Sequence, residues 1–329
     1  MNFDLTDDQQ DIKRTAREFL GARYKLEEVR RLALEEEHGF TDAQWDEIVG
    51  LGWPELAVAE SGLGIVELAV VSEELGYACA PSPFIANAYA GEAIQSAGSD
   101  EQRSKWLPGI ASGEERGAAE MTCDPEPVVG AAAGASILVL AKDEGARLVE
   151  PADAELERLD LIDDTRAYYR VRADGGEELP GDIGHAGSVG QVALAAELVG
   201  IGQRALDMAV EYAKERQQFD RPIGAYQAVS HRLADMLWAV EEARSLTYYA
   251  AWVADAEPES LPLAASMAKA RASDAAASVC HDAIQVFGGI GFTWEHDVHF
   301  LLKRAQVGGQ LMGTAGAHRE HVAALSGLA

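Results

Sequence analysis

Cysteine is too scarce in this sequence to organise it. Cys79, Cys123 and Cys280 form an odd, widely spaced set. That excludes a disulfide framework and a cysteine-rich zinc site, so no metal is expected and the three read as small buried apolar groups. Long apolar runs are missing too: none reaches the roughly 18 residues that a membrane-spanning helix needs. The polar, acidic start from Met1 to Gln10 does not read as a signal peptide. A cytoplasmic protein without a membrane partner is the resulting expectation. Basic charge is also in short supply, with 27 Lys and Arg against 55 Asp and Glu, a formal net charge of -28. A field of that sign repels nucleic acid and anionic lipid, so nucleic acid is excluded as a main partner. Aromatic residues are few, and no tryptophan occurs between Trp106 and Trp238.

Apolar residues, by contrast, make up 48 % of the chain, enough for a large core, and alanine is abundant, which favours closely packed helix. The length of 329 residues fits two or three domains. Residues 1–115 read as a helical domain. Thr6 with Gln9 and Thr41 with Gln44 have the spacing of capping boxes, each followed by apolar residues at helical period. Further helices are expected through Ile65–Tyr77, over Phe84–Ala97, and after Asp100 around Trp106, Leu107 and Ile110.

Residues 116–182 change character. Ser136–Leu140 is a short apolar run bounded by glycines, and Arg147–Val149 and Tyr168–Val171 are similar, so a reduced β domain with few short strands is expected. Residues 183–329 return to helix in longer segments: Gly187–Gln217, Ala225–Ala256, Leu263–Phe287, and a stretch from Val298 to Leu325 broken by glycines. Val192, Ala195, Leu198, Val199, Leu206, Ala209 and Val210 keep a 3.6-residue period in the first of these, widened by Leu194 and Ile201, with Gly202 as a close-packing point. Long antiparallel helices joined by short loops make a four-helix bundle. The fold class is mainly α with a small β domain between two helical ones.

Three stretches then carry a resemblance. Asn2-Phe3-Asp4-Leu5-Thr6 with Gln9-Gln10, Glu215-Arg216-Gln217-Gln218-Phe219-Asp220-Arg221-Pro222-Ile223-Gly224 with Gln227, and Gln285-Val286-Phe287-Gly288-Gly289-Ile290-Gly291-Phe292-Thr293 are similar to motifs of the acyl-CoA dehydrogenases. The resemblance implies an FAD-dependent enzyme that desaturates an acyl-CoA thioester, passes electrons to an electron-transfer flavoprotein, and works as a homo-dimer, homo-tetramer or hetero-tetramer. The residues suit the cofactor in their own right. Arg216 can fork two charge-assisted hydrogen bonds to a pyrophosphate, Phe219 offers a flat face to adenine, Gln285 adds a neutral amide, and Gly288 and Gly289 let backbone amides approach an anion. Taken singly, the Arg-x-x-Phe pair reads as a helix-end charge with a core plug, and the Gly-Gly pair as a helix cap. Together, in this order and about 70 residues apart, they read as cofactor contacts, and the resemblance implies that they reach across a dimer interface to the cofactor of a neighbouring subunit.

The same resemblance exposes a gap. The reaction needs a base, usually glutamate, in a dry pocket beside the substrate α-carbon. The residue before Gly313-Thr314, where many members carry it, is Met312. The alternative position, at the start of the first bundle helix, is Gly190, followed by Gln191 where an arginine commonly helps hold CoA. Glu197 lies two turns beyond Gly190 on the same face, among Ala195, Ala196 and Leu198. It is the candidate for a relocated, desolvated base with a raised pKa, or else an ion-paired or packed glutamate. In the β region, Cys123-Asp124-Pro125-Glu126-Pro127 departs from the family's flavin-contact signature, and the family's flavin-covering tryptophan is absent.

Three readings follow: a heteromeric enzyme whose paralogous partner supplies the base, a self-sufficient enzyme using Glu197, or a non-catalytic scaffold subunit. Elsewhere, His231 is expected to pair with Asp235 on a helix surface. Glu295-His296-Asp297 should form a capped turn or an interface contact, and His318-Arg319-Glu320-His321 a solvated helix face.

Overall fold

The computed structural model describes residues 5–36, 39–58, 62–121, 126–142 and 145–328. Asn2, Phe3, Asp4, Cys123, Asp124 and Pro125 of the motifs above lie outside them. The chain opens with α1 (Asp7–Arg23), whose first turn is closed by the expected capping box. Thr6 Oγ1 accepts from the Gln9 amide at 3.3 Å, and Gln9 Oε1 accepts from the Thr6 amide at 3.0 Å. α2 (Leu26–Glu35) went unread in the sequence because only Val29 and Leu32 are buried in an otherwise charged segment. α3 (Asp42–Val49) starts at the Thr41–Gln44 box. α4 (Ile65–Ala78), α5 (Phe84–Ala97) and α6 (Asp100–Ser112) follow the expected spans.

The β region holds more strand than its sequence advertised. β1 (Gly117–Ala119), β3 (Ile137–Lys142), β4 (Gly145–Val149) and β7 (Glu177–Leu179) form one sheet in the order β1-β3-β4-β7, with β1 parallel to β3. β2 (Val128–Gly130), β6 (Tyr168–Arg172) and β5 (Glu155–Arg158) form a second, antiparallel one. The expected strands are β3, β4 and β6. The others are three or four residues long, too short for a period-2 pattern to show.

The last region carries α7 (Gly184–Glu215), a hairpin of β8 (Gln217–Gln218) and β9 (Arg221–Pro222), α8 (Gln227–Ala256), α9 (Leu261–Phe287), α10 (Val298–Gln310) and α11 (Ala315–Leu325). The mainly helical class with a small β element between helical regions is therefore the observed architecture. α7 is central. Its residues from Val192 to Gly202 are all buried, including the positions between the expected stripe, because α4, α8 and α9 pack around it. The close approach falls at Gly200 rather than at Gly202. A Cβ on Gly200 would clash with the Glu73 carbonyl of α4, and one on Gly76 of α4 would clash with the Glu197 carbonyl of α7. Two glycines thus let two helix backbones touch. A Cβ on Gly202 would meet the Val240 side chain at 3.3 Å and the Ala276 Cα at 3.7 Å, a looser fit than at Gly200. Among the described residues no helix is long and apolar enough to cross a membrane.

Charge also ties the helices. Glu73 on α4 is buried, yet it accepts from Lys13 Nζ at 3.0 Å, Tyr248 Oη at 2.7 Å and Arg244 Nε at 3.2 Å. Burial works against its charge, but Lys13 and Arg244 outweigh it and hold the carboxyl below its ordinary range. One carboxylate therefore links α1, α4 and α8.

Candidate cofactor and catalytic site

Arg216 is the C-terminal cap of α7, and the chain turns back immediately through the β8–β9 hairpin, with Gln218 paired to Arg221. The two residues between them, Phe219 and Asp220, have φ of 52° and 62°. Positive φ at both central residues is the requirement of the type I′ hairpin turn, normally met by Asn-Gly or Asp-Gly. A phenylalanine held there is strained, and its ring stands 88 % exposed. Arg216 and Gln285 are exposed as well, and neither side chain has a hydrogen-bond or ion-pair partner among the described residues.

The structure brings the two motifs to one end of the bundle. Tyr212, one turn before Arg216, packs its ring 4.8 Å from that of Phe287, which immediately precedes Gly288. Gly288 has φ 65° and ψ -139°, a backbone that a side chain would strain. A Cβ on Gly289 would meet nothing within 4 Å, so no packing inside the chain explains the second glycine. Two unpartnered donors, an open glycine backbone and an exposed aromatic ring fit the pyrophosphate and adenine end of a dinucleotide. Phe292 and Trp294, in the turn after α9, are 80 % and 61 % exposed, and Trp238 on α8 is 68 % exposed.

Gly190 and Met312, the two positions where the resemblance would place the base, meet in space. A Cβ on Gly190 would lie 2.7 Å from Met312 Cε and 3.2 Å from the Tyr89 ring. The spot is filled by a thioether and an aromatic edge. Met312 sits at φ 56°, and its amide donates to the Met121 carbonyl at 2.6 Å, fastening the bundle to the β region. Behind this turn lies a polar cluster that the sequence did not announce. Lys269 is fully buried and donates to the Gly309 and Gly313 carbonyls at 3.3 and 3.1 Å and to Ser273 Oγ at 3.1 Å. Burial pulls its pKa down to about 8.

His318 belongs to the same cluster, 5 % exposed, with Nε2 3.0 Å from the Met312 carbonyl and Nδ1 3.3 Å from Ser266 Oγ. The expected solvated face holds for Arg319, Glu320 and His321, which are exposed, but is corrected for His318, which brackets the Met312 turn instead. α11 packs one face against α9, and no residue pattern marks His318 as lying on that face.

Glu197 is desolvated as expected, at 0 % exposure, but it is committed to an ion-paired node. Its Oε1 accepts from Arg304 Nη2 of α10 at 3.1 Å and from Arg166, which precedes β6. Arg304 Nη2 also donates to the Ala80 carbonyl, at 2.9 Å. One carboxylate thus joins α7, α10 and the β region. It lies two helical turns, about 10 Å, from the Met312–Gly190 contact. Arg166 and Arg304 thus occupy this carboxylate in ion pairs within the fold.

The lesser motifs resolve simply. His231 is exposed and does not bond Asp235. His296 Nδ1 accepts from the Val298 amide at 3.3 Å, a cap on α10, while Asp297 binds Arg30 of α2. Cys79 and Cys280 are buried free thiols. Among the described residues no cluster of His, Cys, Asp and Glu could hold a metal ion.

Comparison with known proteins follows the same lines. Residues 6–114 match the acyl-CoA dehydrogenase N-terminal domain and residues 187–326 the acyl-CoA dehydrogenase C-terminal domain. The chain is 33 % identical over 287 residues, 86 % of each sequence, to the acyl-CoA dehydrogenase IpdE2 of Mycobacterium tuberculosis. Among solved structures, it superposes on a steroid ACAD variant, Tcur3481–Tcur3483, with TM-score 0.89, 26 % identity and 98 % of each chain covered. It shares its fold with the ChsE4–ChsE5 complex from Mycobacterium tuberculosis, at TM-score 0.90, 23 % identity and full coverage of both chains.

Proposed function

This chain belongs to the acyl-CoA dehydrogenase family, and we propose that it is the cofactor-gripping subunit of a heteromeric, FAD-dependent enzyme whose paralogous partner supplies the general base. The observation that carries this reading is the Met312–Gly190 contact, where both usual base positions converge on groups that cannot accept a proton.

The remaining features support the division of labour. FAD supplies the acceptor for the hydride that leaves the acyl β-carbon. Arg216 and Gln285 hold the cofactor's pyrophosphate, Gly288 and Gly289 open the backbone to it, and Phe219 stacks on its adenine. All five stand at an exposed, apolar-rimmed end of the bundle, which suits cofactor shared across an interface rather than enclosed by one chain. The structures of a steroid ACAD from two named components and of the ChsE4–ChsE5 complex show that relatives of this fold assemble from unlike chains. The acyl-CoA is then oxidised at the complete site of the partner, with an electron-transfer flavoprotein as acceptor. Met312, Tyr89 and the His318–Lys269 cluster keep the corresponding place in this chain closed. Glu197 is an architectural carboxylate in this reading, which displaces the self-sufficient alternative.

Co-expression tests it. The chain paired with a paralogue encoded beside it turns over acyl-CoA, whereas the chain alone, supplied with FAD, does not. Ordinary turnover by the isolated chain overturns the proposal.

A further inference from the structure

Most described arginines and lysines of this acidic chain are paired with carboxylates, as Lys13, Arg17, Arg30 and Arg244 are. Two that are not meet at one cavity. It has a volume of about 380 Å³, lies among α1, α2, α4 and α7, and is lined in part by Arg17, Tyr24, Lys25, Tyr77 and Arg204. The volume falls in the range of small-molecule sites.

The acids around it are already engaged. Arg17 pairs with Glu74 at 3.0 Å and lies 3.4 Å over the Tyr77 ring centroid. Asp207, one turn beyond Arg204, accepts from Tyr77 Oη at 2.9 Å and from Gln203 Nε2 at 2.8 Å. Asp297, on the cavity wall, is taken by Arg30. Arg204, half-buried and 5.3 Å from the Tyr77 centroid, is left without a carboxylate partner. Glu27 remains, exposed to solvent. Lys25 is the N-cap of α2 and makes no side-chain capping bond, so the helix presents uncapped amides beside it.

We propose that this cavity is an anion site for a small phosphate- or pyrophosphate-bearing molecule. The Arg204 fork takes two phosphate oxygens, Lys25 supplies a second positive charge, and the uncapped α2 amides donate. A forked guanidinium, a point charge and free helix N-terminal amides are a donor set that a tetrahedral oxyanion fills. The site is separate from the cofactor grip, because Arg204 precedes Arg216 by about 18 Å along α7.

The full chain is titrated with inorganic pyrophosphate by calorimetry at low ionic strength, where surface attraction is least screened. Saturable binding is expected that Arg204→Gln weakens at least tenfold and Lys25→Gln weakens severalfold, while Arg216→Gln leaves it within twofold. Lys25→Gln alters only an exposed side chain, so it keeps the fold and weakens binding in the same direction. No binding by the parent chain, unchanged affinity in both Arg204→Gln and Lys25→Gln, or a loss confined to Arg216→Gln overturns the proposal; the last result places the anion on the cofactor loop.

Discussion

The methyl carbon of Met312 stands 2.7 Å from where a Cβ on Gly190 would be, so two positions far apart in sequence occupy one point in space. Neither side chain can take a proton from a substrate. That contact turns a missing motif into a closed place in the structure.

Removing the ion-pair node tests the role given to Glu197. Glu197→Gln leaves Arg166 and Arg304 buried without a counter-charge, which costs about 3–5 kcal/mol. The measurement is urea unfolding of the purified variant, and the expected result is a much lower midpoint. A variant of parental stability that abolishes turnover in the assembled enzyme would restore Glu197 as the base.

Arg216→Gln exchanges a forked charged donor for a neutral amide. Flavin affinity of the assembled enzyme should fall by about 1.5–3 kcal/mol, roughly 10- to 100-fold, with little change in the unfolding midpoint. Equal flavin content after extensive dialysis of variant and parent would remove Arg216 from the cofactor site.

The glycines separate packing from binding. Gly200→Ala drives a methyl into the Glu73 carbonyl and should cost at least about 1–3 kcal/mol of stability. Gly289→Ala meets open space and should fold with parental stability while weakening flavin retention. Thermal melts and flavin content, read on both variants, check the pair. Matched losses of stability would contradict the assignment.

Glu92 gives a pH dependence. It is 6 % exposed, and burial, followed by the charge of Asp255, raises its pKa to about 7. The native state therefore binds this proton more readily than the unfolded chain does. The stability contributed is fully present below about pH 4.5 and lost as pH rises through about 7. Glu92→Gln removes the dependence, so its stability relative to the parent should improve by about 1–3 kcal/mol between pH 5 and pH 8. Urea unfolding at the two pH values measures the difference, and an unchanged difference refutes this source of the pH dependence.

Much of the architecture was legible because it rests on local signals. Thr6 with Gln9 and Thr41 with Gln44 announced two helix starts, and the apolar period of α7 announced the central helix. What could not be read depends on pairing across the chain. β1, β2, β5 and β7 are too short for a pattern, and α2 buries too little. The close approach at Gly200 instead of Gly202 is fixed by a backbone on another helix. The cofactor loop was legible from its residue types, but the strained Phe219–Asp220 turn and the openness of Gly289 were not. Lys269 and His318 carried no signal, since a lysine and a histidine on amphipathic helices look solvated until the Met312 turn is seen to need them.

The most direct test of the shared site is the visible absorption spectrum of the chain, alone and co-purified with its paralogous partner, before and after anaerobic addition of an acyl-CoA. The account predicts a flavin band that acyl-CoA bleaches only in the co-purified complex. A lone chain that holds flavin and is bleached by acyl-CoA would contradict it, because the Met312–Gly190 position would then not be the place where the base is missing.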